Sequence, residues 1–262
     1  MNKNLSLLPR ISGRARVVSL ALKGVARATL RGTLPEHSSD SVAVIVPAVP
    51  PESQLANKDD VILCEQDIEG LKNKFGYPFK LNLGCGDQGR VSDEYIHIDI
   101  RDTPITDIVS GVGLLKFPPQ SCEVIFAWNV LEHISWRQTG PTLLHWFSLL
   151  RPAGLLVMSV PNLDKLATDI LDADSKIYTA RSDRGGNIIE HLYGGQDYDG
   201  NYHFAGWRPG WLASELKEIG FEVKFVGDGN VQDFGLPFER QAGVLRGANG
   251  WDMLAVAARP SI

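Results

Sequence analysis

Apolar residues along this chain fall into short runs broken by polar and glycine-rich stretches, and two periods alternate. Runs near 80–84, 95–100, 106–109, 122–128, 154–160, 221–227 and 252–259 are short and read as strands. Apolar positions at helical spacing predict helices near 139–151, 163–173 and 208–219. A further short helix is predicted to run through Lys74 from a cap at Asp59 or Asp60. Strands alternating with helices imply an α/β fold, a mainly parallel sheet covered on both faces. Two stretches, 175–206 and 228–250, stand outside the alternation. Ligands of open α/β sheets sit beyond the carboxyl ends of the strands. The first stretch follows the fifth strand and its helix, so it is placed to fold over that edge as a lid.

The amino-terminal part has a different pattern. Residues 1–35 carry Lys3, Arg10, Arg14, Arg16, Lys23, Arg27 and Arg31 and no acidic residue. Over 12–31 a weak helical period sets Val18, Leu22 and Val25 opposite Arg16, Lys23, Arg27 and Arg31, with Leu20 on the basic side. Such a helix packs on its own domain or on a partner, or lies weakly on an anionic membrane surface. Residues 33–60, punctuated by Pro35, Pro47, Pro50 and Pro51, read as a linker. The expected organisation is a basic helix and Pro-rich linker over 1–60, then one domain over 61–262.

Composition narrows the classes. A hydrophobic content of 44% in 262 residues supports a large core, and the net charge of −5 argues against nucleic acid as the main partner. Cys64, Cys85 and Cys122 are odd in number and lack C-x-x-C spacing, so they read as reduced thiols of a cytoplasmic protein. No apolar run reaches the roughly 18 residues of a membrane span.

The chemistry concentrates in Lys80-Leu81-Asn82-Leu83-Gly84-Cys85-Gly86-Asp87-Gln88-Gly89 and in Ile96-His97-Ile98-Asp99-Ile100. A strand enters a glycine turn, and the next strand ends on a carboxylate placed to accept both hydroxyls of a ribose. Gly84, Gly86 and Gly89 also satisfy the dinucleotide pattern G-x-G-x-x-G. There, however, the acid comes about 20 residues after the glycines. Asp99 follows Gly86 by thirteen, which leaves little room for a full helix.

Together with Val130-Leu131-Glu132-His133, Leu150-Arg151-Pro152-Ala153-Gly154 and Ser159-Val160-Pro161-Asn162, these stretches resemble the class I S-adenosylmethionine-dependent methyltransferases. Arg151 and Ala153 depart from the family's lysine and first glycine. The resemblance runs from Phe79 to Arg259. It implies a seven-stranded, Rossmann-like, doubly wound sheet with an antiparallel C-terminal hairpin, formed by the runs at 221–227 and 252–259. It implies S-adenosylmethionine as cofactor, bound by Gly84, Cys85, Gly86, Asp99, Gly113, Leu114 and Asn129. Gly111 stands where the family has an acid for the adenine amino group, and Lys116 where it has a proline.

The segment with His191, Gly194-Gly195-Gln196 and His203 resembles a branch linked to cell-surface sugars and polysaccharides, which implies O-methylation of a sugar, glycan intermediate or other small hydroxylated molecule. His203, His191 and His133 are the candidate proton acceptors, since a histidine pKa near 6.5 suits hydroxyl deprotonation at neutral pH. Glu132 reads as structural, and no metal is expected, because no carboxylate motif accompanies His191 and His203. Two alternatives stay open: another acceptor (metabolite, lipid or protein), and a partner subunit that binds S-adenosylmethionine without turnover.

Overall fold

The structure, a computed structural model, describes residues 65–87, 90–172, 188–234 and 251–261. The expected basic helix at 12–31, the linker at 33–60, the cap at Asp59 or Asp60 and the first part of the 175–206 segment lie outside the described residues.

Seven strands form one sheet: β1 Phe79–Leu83, β2 Tyr95–Asp99, β3 Ile108–Val109, β4 Cys122–Trp128, β5 Leu150–Pro161, β6 Glu222–Gly227 and β7 Asp252–Ala258. Their order is β3-β2-β1-β4-β5-β7-β6. β1 to β5 run parallel, and β7 lies antiparallel to both β5 and β6. This is the topology that the resemblance implies, terminal hairpin included. From β1 the chain steps outward through β2 to β3, then returns to lay β4 on the other side of β1. The carboxyl ends of β1 and β4 therefore flank the switch point, where open α/β sheets bind ligands.

The helices are α1 Glu65–Phe75, α2 Thr139–Leu149, α3 Leu163–Asp172, α4 Ile188–Tyr193 and α5 Pro209–Ile219. Side chains of alternate strand residues point to opposite faces. Phe79, Leu81 and Leu83 of β1 and Ile96 and Ile98 of β2 join one buried cluster with Leu143 and Trp146 of α2 and Leu212 and Leu216 of α5. Val124 and Phe126 of β4 join a second cluster with Val157, Leu254 and Val256, while Ile125 and Ala127 belong to the first. Cys122 shares the first cluster despite its parity, because the register shifts between Cys122 and Val124.

The α2–β5 junction differs from expectation. The helix stops at Leu149, and the strand starts at Leu150. Pro152 disfavours helical backbone at the residue before it and has no N–H for a helical hydrogen bond. Arg259 reaches across from the end of β7, and its Nη1 donates to the carbonyls of Phe147 (3.2 Å), Ser148 (3.3 Å) and Leu150 (2.8 Å). These are carbonyls that a helix end leaves without partners. Gly154 is required, since a Cβ there would stand 2.9 Å from the Arg151 carbonyl oxygen.

Candidate functional site

At the end of β1 the chain turns through Gly84 with φ +60°. A Cβ on Gly84 would lie 2.4 Å from Val130 Cγ2, so only glycine lets the turn pack against the segment after β4. Gly86 follows at φ +63°. Its N–H donates to Asp99 Oδ2 at 2.8 Å, which joins the turn to the end of β2. Asp99 Oδ1 accepts the backbone N–H of Arg101 at 2.9 Å and its Nε–H at 3.4 Å. Between β1 and β2 the described residues contain no helix.

A cavity of about 630 Å³ opens over this switch point. Its walls include Gly84, Gly86, Asp99, Gly113 and Asn129. Asn129 ends β4 at φ +51°, a left-handed conformation that asparagine tolerates. Its Nδ2 donates to Asp252 Oδ1 at 3.3 Å.

Two implied cofactor residues stand differently. The Cys85 N–H is spent on the Ile98 carbonyl (3.2 Å). Its thiol lies 3.6 Å from the Gly86 carbonyl and 3.7 Å from Thr106 Oγ1, and burial pushes its pKa up to about 11. It braces the turn from behind and is a poor nucleophile. Leu114 is buried, and the wall beside it is made by Gly111, Val112 and Gly113 instead. No carboxylate stands at position 111, so that wall offers backbone groups and an apolar side chain. Asp107 is committed elsewhere: its Oδ2 accepts from Arg90 Nη2 (2.7 Å) and from the His97 N–H (3.0 Å), and its Oδ1 from Lys74 Nζ (3.1 Å). Burial alone would raise its pKa, but these donors hold it below the usual carboxylate range.

The described part of the 175–206 segment forms one side of the cavity. Tyr198, Gly200 and Phe204 line it. The Arg101 guanidinium sits 4.5 Å from the centre of the Tyr198 ring, a cation–π contact between the lid and the end of β2. Gly194 makes the lid's turn at φ +80°, where a Cβ would stand 2.4 Å from the Asn201 carbonyl oxygen.

The three candidate histidines have different positions. His133, in a 3₁₀ turn at Leu131–His133 after β4, lines the cavity. His203 packs behind it, with ring centroids 4.7 Å apart and edge to face. His191 lies against Trp251, centroids 4.9 Å apart, and is not on the cavity wall. Burial lowers the pKa of His133, and it lowers that of His203 to about 4.

The residue that sequence reading passed over is Glu132. Its side chain is fully buried, neither oxygen makes a hydrogen bond of good geometry, and burial pushes its pKa up to about 8 against the opposing pull of the nearby Asn129 amide. It offers a donor atom within 4.8 Å of donor atoms of His133 and His203. The sequence signal was the pair Glu132-His133. The missing information was that His203 returns to it across 70 residues.

No protein-family model matches the chain, and no curated protein sequence does. Among solved structures the chain is similar to a Burkholderia thailandensis 1,6-didemethyltoxoflavin-N1-methyltransferase with bound 1,6-didemethyltoxoflavin and S-adenosylhomocysteine. The identity is 15%, the match covers 73% of this chain and 76% of that one, and the TM-score is 0.42. It is also similar to S-adenosylmethionine-dependent methyltransferases from Methanosarcina mazei (13% identity, 77% and 100% covered, TM-score 0.42) and Archaeoglobus fulgidus (15%, 74% and 91%, 0.42). At that distance none of them bears on what this chain acts on.

Proposed function

We propose that the protein is an enzyme that transfers a methyl group from S-adenosylmethionine to an oxygen of a small hydroxylated acceptor. A sugar or glycan intermediate is one acceptor of that class. The observation that carries the reading is the Gly86–Asp99 pair at the switch point. A carboxylate has about four acceptor positions. Gly86 and Arg101 occupy three of those on Asp99, and the 3.4 Å contact to Arg101 Nε is the weakest. One position is open, and a second opens if the 3.4 Å contact yields, so the two hydroxyls of a ribose fit. Among the described residues no helix opens between β1 and β2, so the anion seat that a dinucleotide's pyrophosphate needs is missing there.

When bound, S-adenosylmethionine supplies a methyl group on a positively charged sulfur. The chain's part is to hold the reactants in line. Gly84 and Gly86 leave bare backbone against the ligand, Asp99 fixes the ribose, and Val112 and Gly113 flank the base. Asn129 stands at the amino-acid end, and the part of the cavity beside His133 receives the acceptor's hydroxyl. Tyr198 and Phe204 exclude water. Positioning of this kind accounts for much of the rate in a two-reactant transfer.

Isothermal titration with S-adenosylmethionine, S-adenosylhomocysteine and NAD tests the reading. Both adenosyl ligands are expected to bind and NAD to fail. Asp99→Ala is expected to weaken binding by about 1.5–3 kcal/mol, the range for hydrogen bonds to a charged group. Tight NAD binding with no adenosyl signal would overturn the assignment.

A further inference from the structure

Buried acids in folded proteins are paired or hold metals, and each orphaned one requires a reason. Glu132 comes close to that: the Asn129 amide is near, but neither oxygen makes a hydrogen bond of good geometry, and its donor atoms converge with those of two histidines. Both imidazoles are pre-set. His133 Nδ1–H donates to the Tyr202 carbonyl (3.1 Å), and His203 Nδ1–H donates to the His191 carbonyl (2.8 Å). A carbonyl can only accept, so in neutral His203 the lone pair lies on Nε2; the Tyr202 carbonyl favours the same tautomer in His133, where the Gly200 carbonyl also faces the ring. Metal-binding histidines are oriented in this manner. The Glu132 carbonyl accepts the N–H groups of Phe204 (2.7 Å) and Ala205 (3.3 Å), which clamps the segment carrying His203 onto the turn carrying the other two.

We propose that Glu132, His133 and His203 hold one divalent transition-metal ion. Two imidazoles and one carboxylate suit Zn²⁺, Fe²⁺ or Co²⁺, whereas Mg²⁺ and Ca²⁺ prefer oxygen ligands throughout. Donors around tetrahedral Zn²⁺ at about 2.1 Å stand about 3.4 Å apart. From separations within 4.8 Å the three draw in by up to about 1.4 Å. Three protein ligands leave a fourth position open. His133 lines the cavity, so that position faces the acceptor space, where an oxygen held by the metal becomes more acidic. The purpose given to the metal rests on the methyl-transfer reading, but the uptake of metal does not.

The test uses the full chain stripped with a chelator, dialysed, and titrated with Zn²⁺ in competition with a chromophoric chelator. Co²⁺ in place of Zn²⁺ reports imidazole coordination through its ligand-field spectrum. The wild type is expected to take up one equivalent. Loss of an outer partner of a ligand typically costs 10–100-fold, so Glu132→Gln and His203→Ala are each expected to lose at least about 100-fold. Both should keep S-adenosylhomocysteine binding, and His191→Ala should take up metal like the wild type. Should either variant fail to fold, the wild-type stoichiometry and its Co²⁺ spectrum decide. No stoichiometric uptake by the wild type, or equal uptake by the folded Glu132→Gln and His203→Ala variants, overturns the site. Zinc uptake without S-adenosylhomocysteine binding would count against the methyl-donor reading alone.

Discussion

At the scale of single residues, the turn after β1 was legible because its chemistry is local. Gly84, Gly86 and Asp99 announce themselves by type and spacing, and the structure puts them on one cavity wall. His97 was not legible, since its role depends on what surrounds it. It is fully buried in β2, accepts the Val91 N–H on Nε2 at 3.0 Å and donates from Nδ1 to the Tyr95 carbonyl at 2.8 Å. Both nitrogens are thus fixed in one neutral tautomer. Burial lowers its pKa, and nearby Arg90 lowers it further, against the opposing pull of Asp107 and Asp93. A histidine whose folded pKa is depressed contributes fully above the unfolded value of about 6.5, and the contribution fades as pH falls below it. His97→Gln is therefore expected to cost about 1–3 kcal/mol at pH 7.5, the penalty for disturbing buried hydrogen bonds. The gap to wild type should narrow by pH 5.5. Denaturant unfolding of both proteins at the two pH values checks this, and a gap that widens on acidification would contradict it.

At the scale of elements, the order of strands and helices followed from the two alternating periods, and most boundaries fell within a few residues. The exceptions have physical causes. The end of α2 differs from expectation because Leu150 continues its apolar pattern and Arg151 is a good helix former, while Pro152 and the reach of Arg259 from β7 decide where the helix stops. Ala153 is the mark of that junction. It takes φ +61°, its N–H donates to the Arg259 carbonyl (3.0 Å), and the Arg259 N–H donates to the Gly154 carbonyl (2.9 Å). The family that these motifs resemble has glycine here, and an L-residue in the left-handed region bears about 1–2 kcal/mol of strain. Glycine relieves it but gives the unfolded chain about 0.4–1 kcal/mol more entropy to lose. Ala153→Gly should leave the fold intact and raise its stability by at most about 1.6 kcal/mol. A clear loss in the denaturant midpoint would mean that the alanine methyl makes a packing contribution larger than its strain.

At the scale of the whole molecule, what was hidden is what the chain assembles from distant segments. Glu132 reads as an ordinary helix-start acid until His203 is brought to it, and the cavity acquires its roof only when 198–204 crosses to the end of β2. That roof is held by specific contacts. The Gln196 N–H donates to the Asn201 carbonyl (2.9 Å), the Asn201 N–H to the Tyr198 carbonyl (3.1 Å), and the His203 N–H to the Tyr193 carbonyl (3.1 Å). Tyr198 rests on Arg101, the residue whose backbone and side chain also hold Asp99. Ligand on Asp99 and roof on Arg101 are therefore coupled through one side chain, and a ligand beneath the roof must oppose its opening. At a ligand concentration 100 times its Kd, an opening that releases the ligand becomes about 100-fold rarer. With S-adenosylhomocysteine at that level, hydrogen exchange of the Gln196, Asn201 and His203 amides should slow by up to about that factor. Amides of the edge strand β6, which is far along the sheet from the cavity, should exchange as before. Arg101→Ala should abolish most of the slowing at equal saturation. Unchanged exchange at 196–203 in the saturated wild type would mean that this segment is a fixed wall whose opening does not release the ligand.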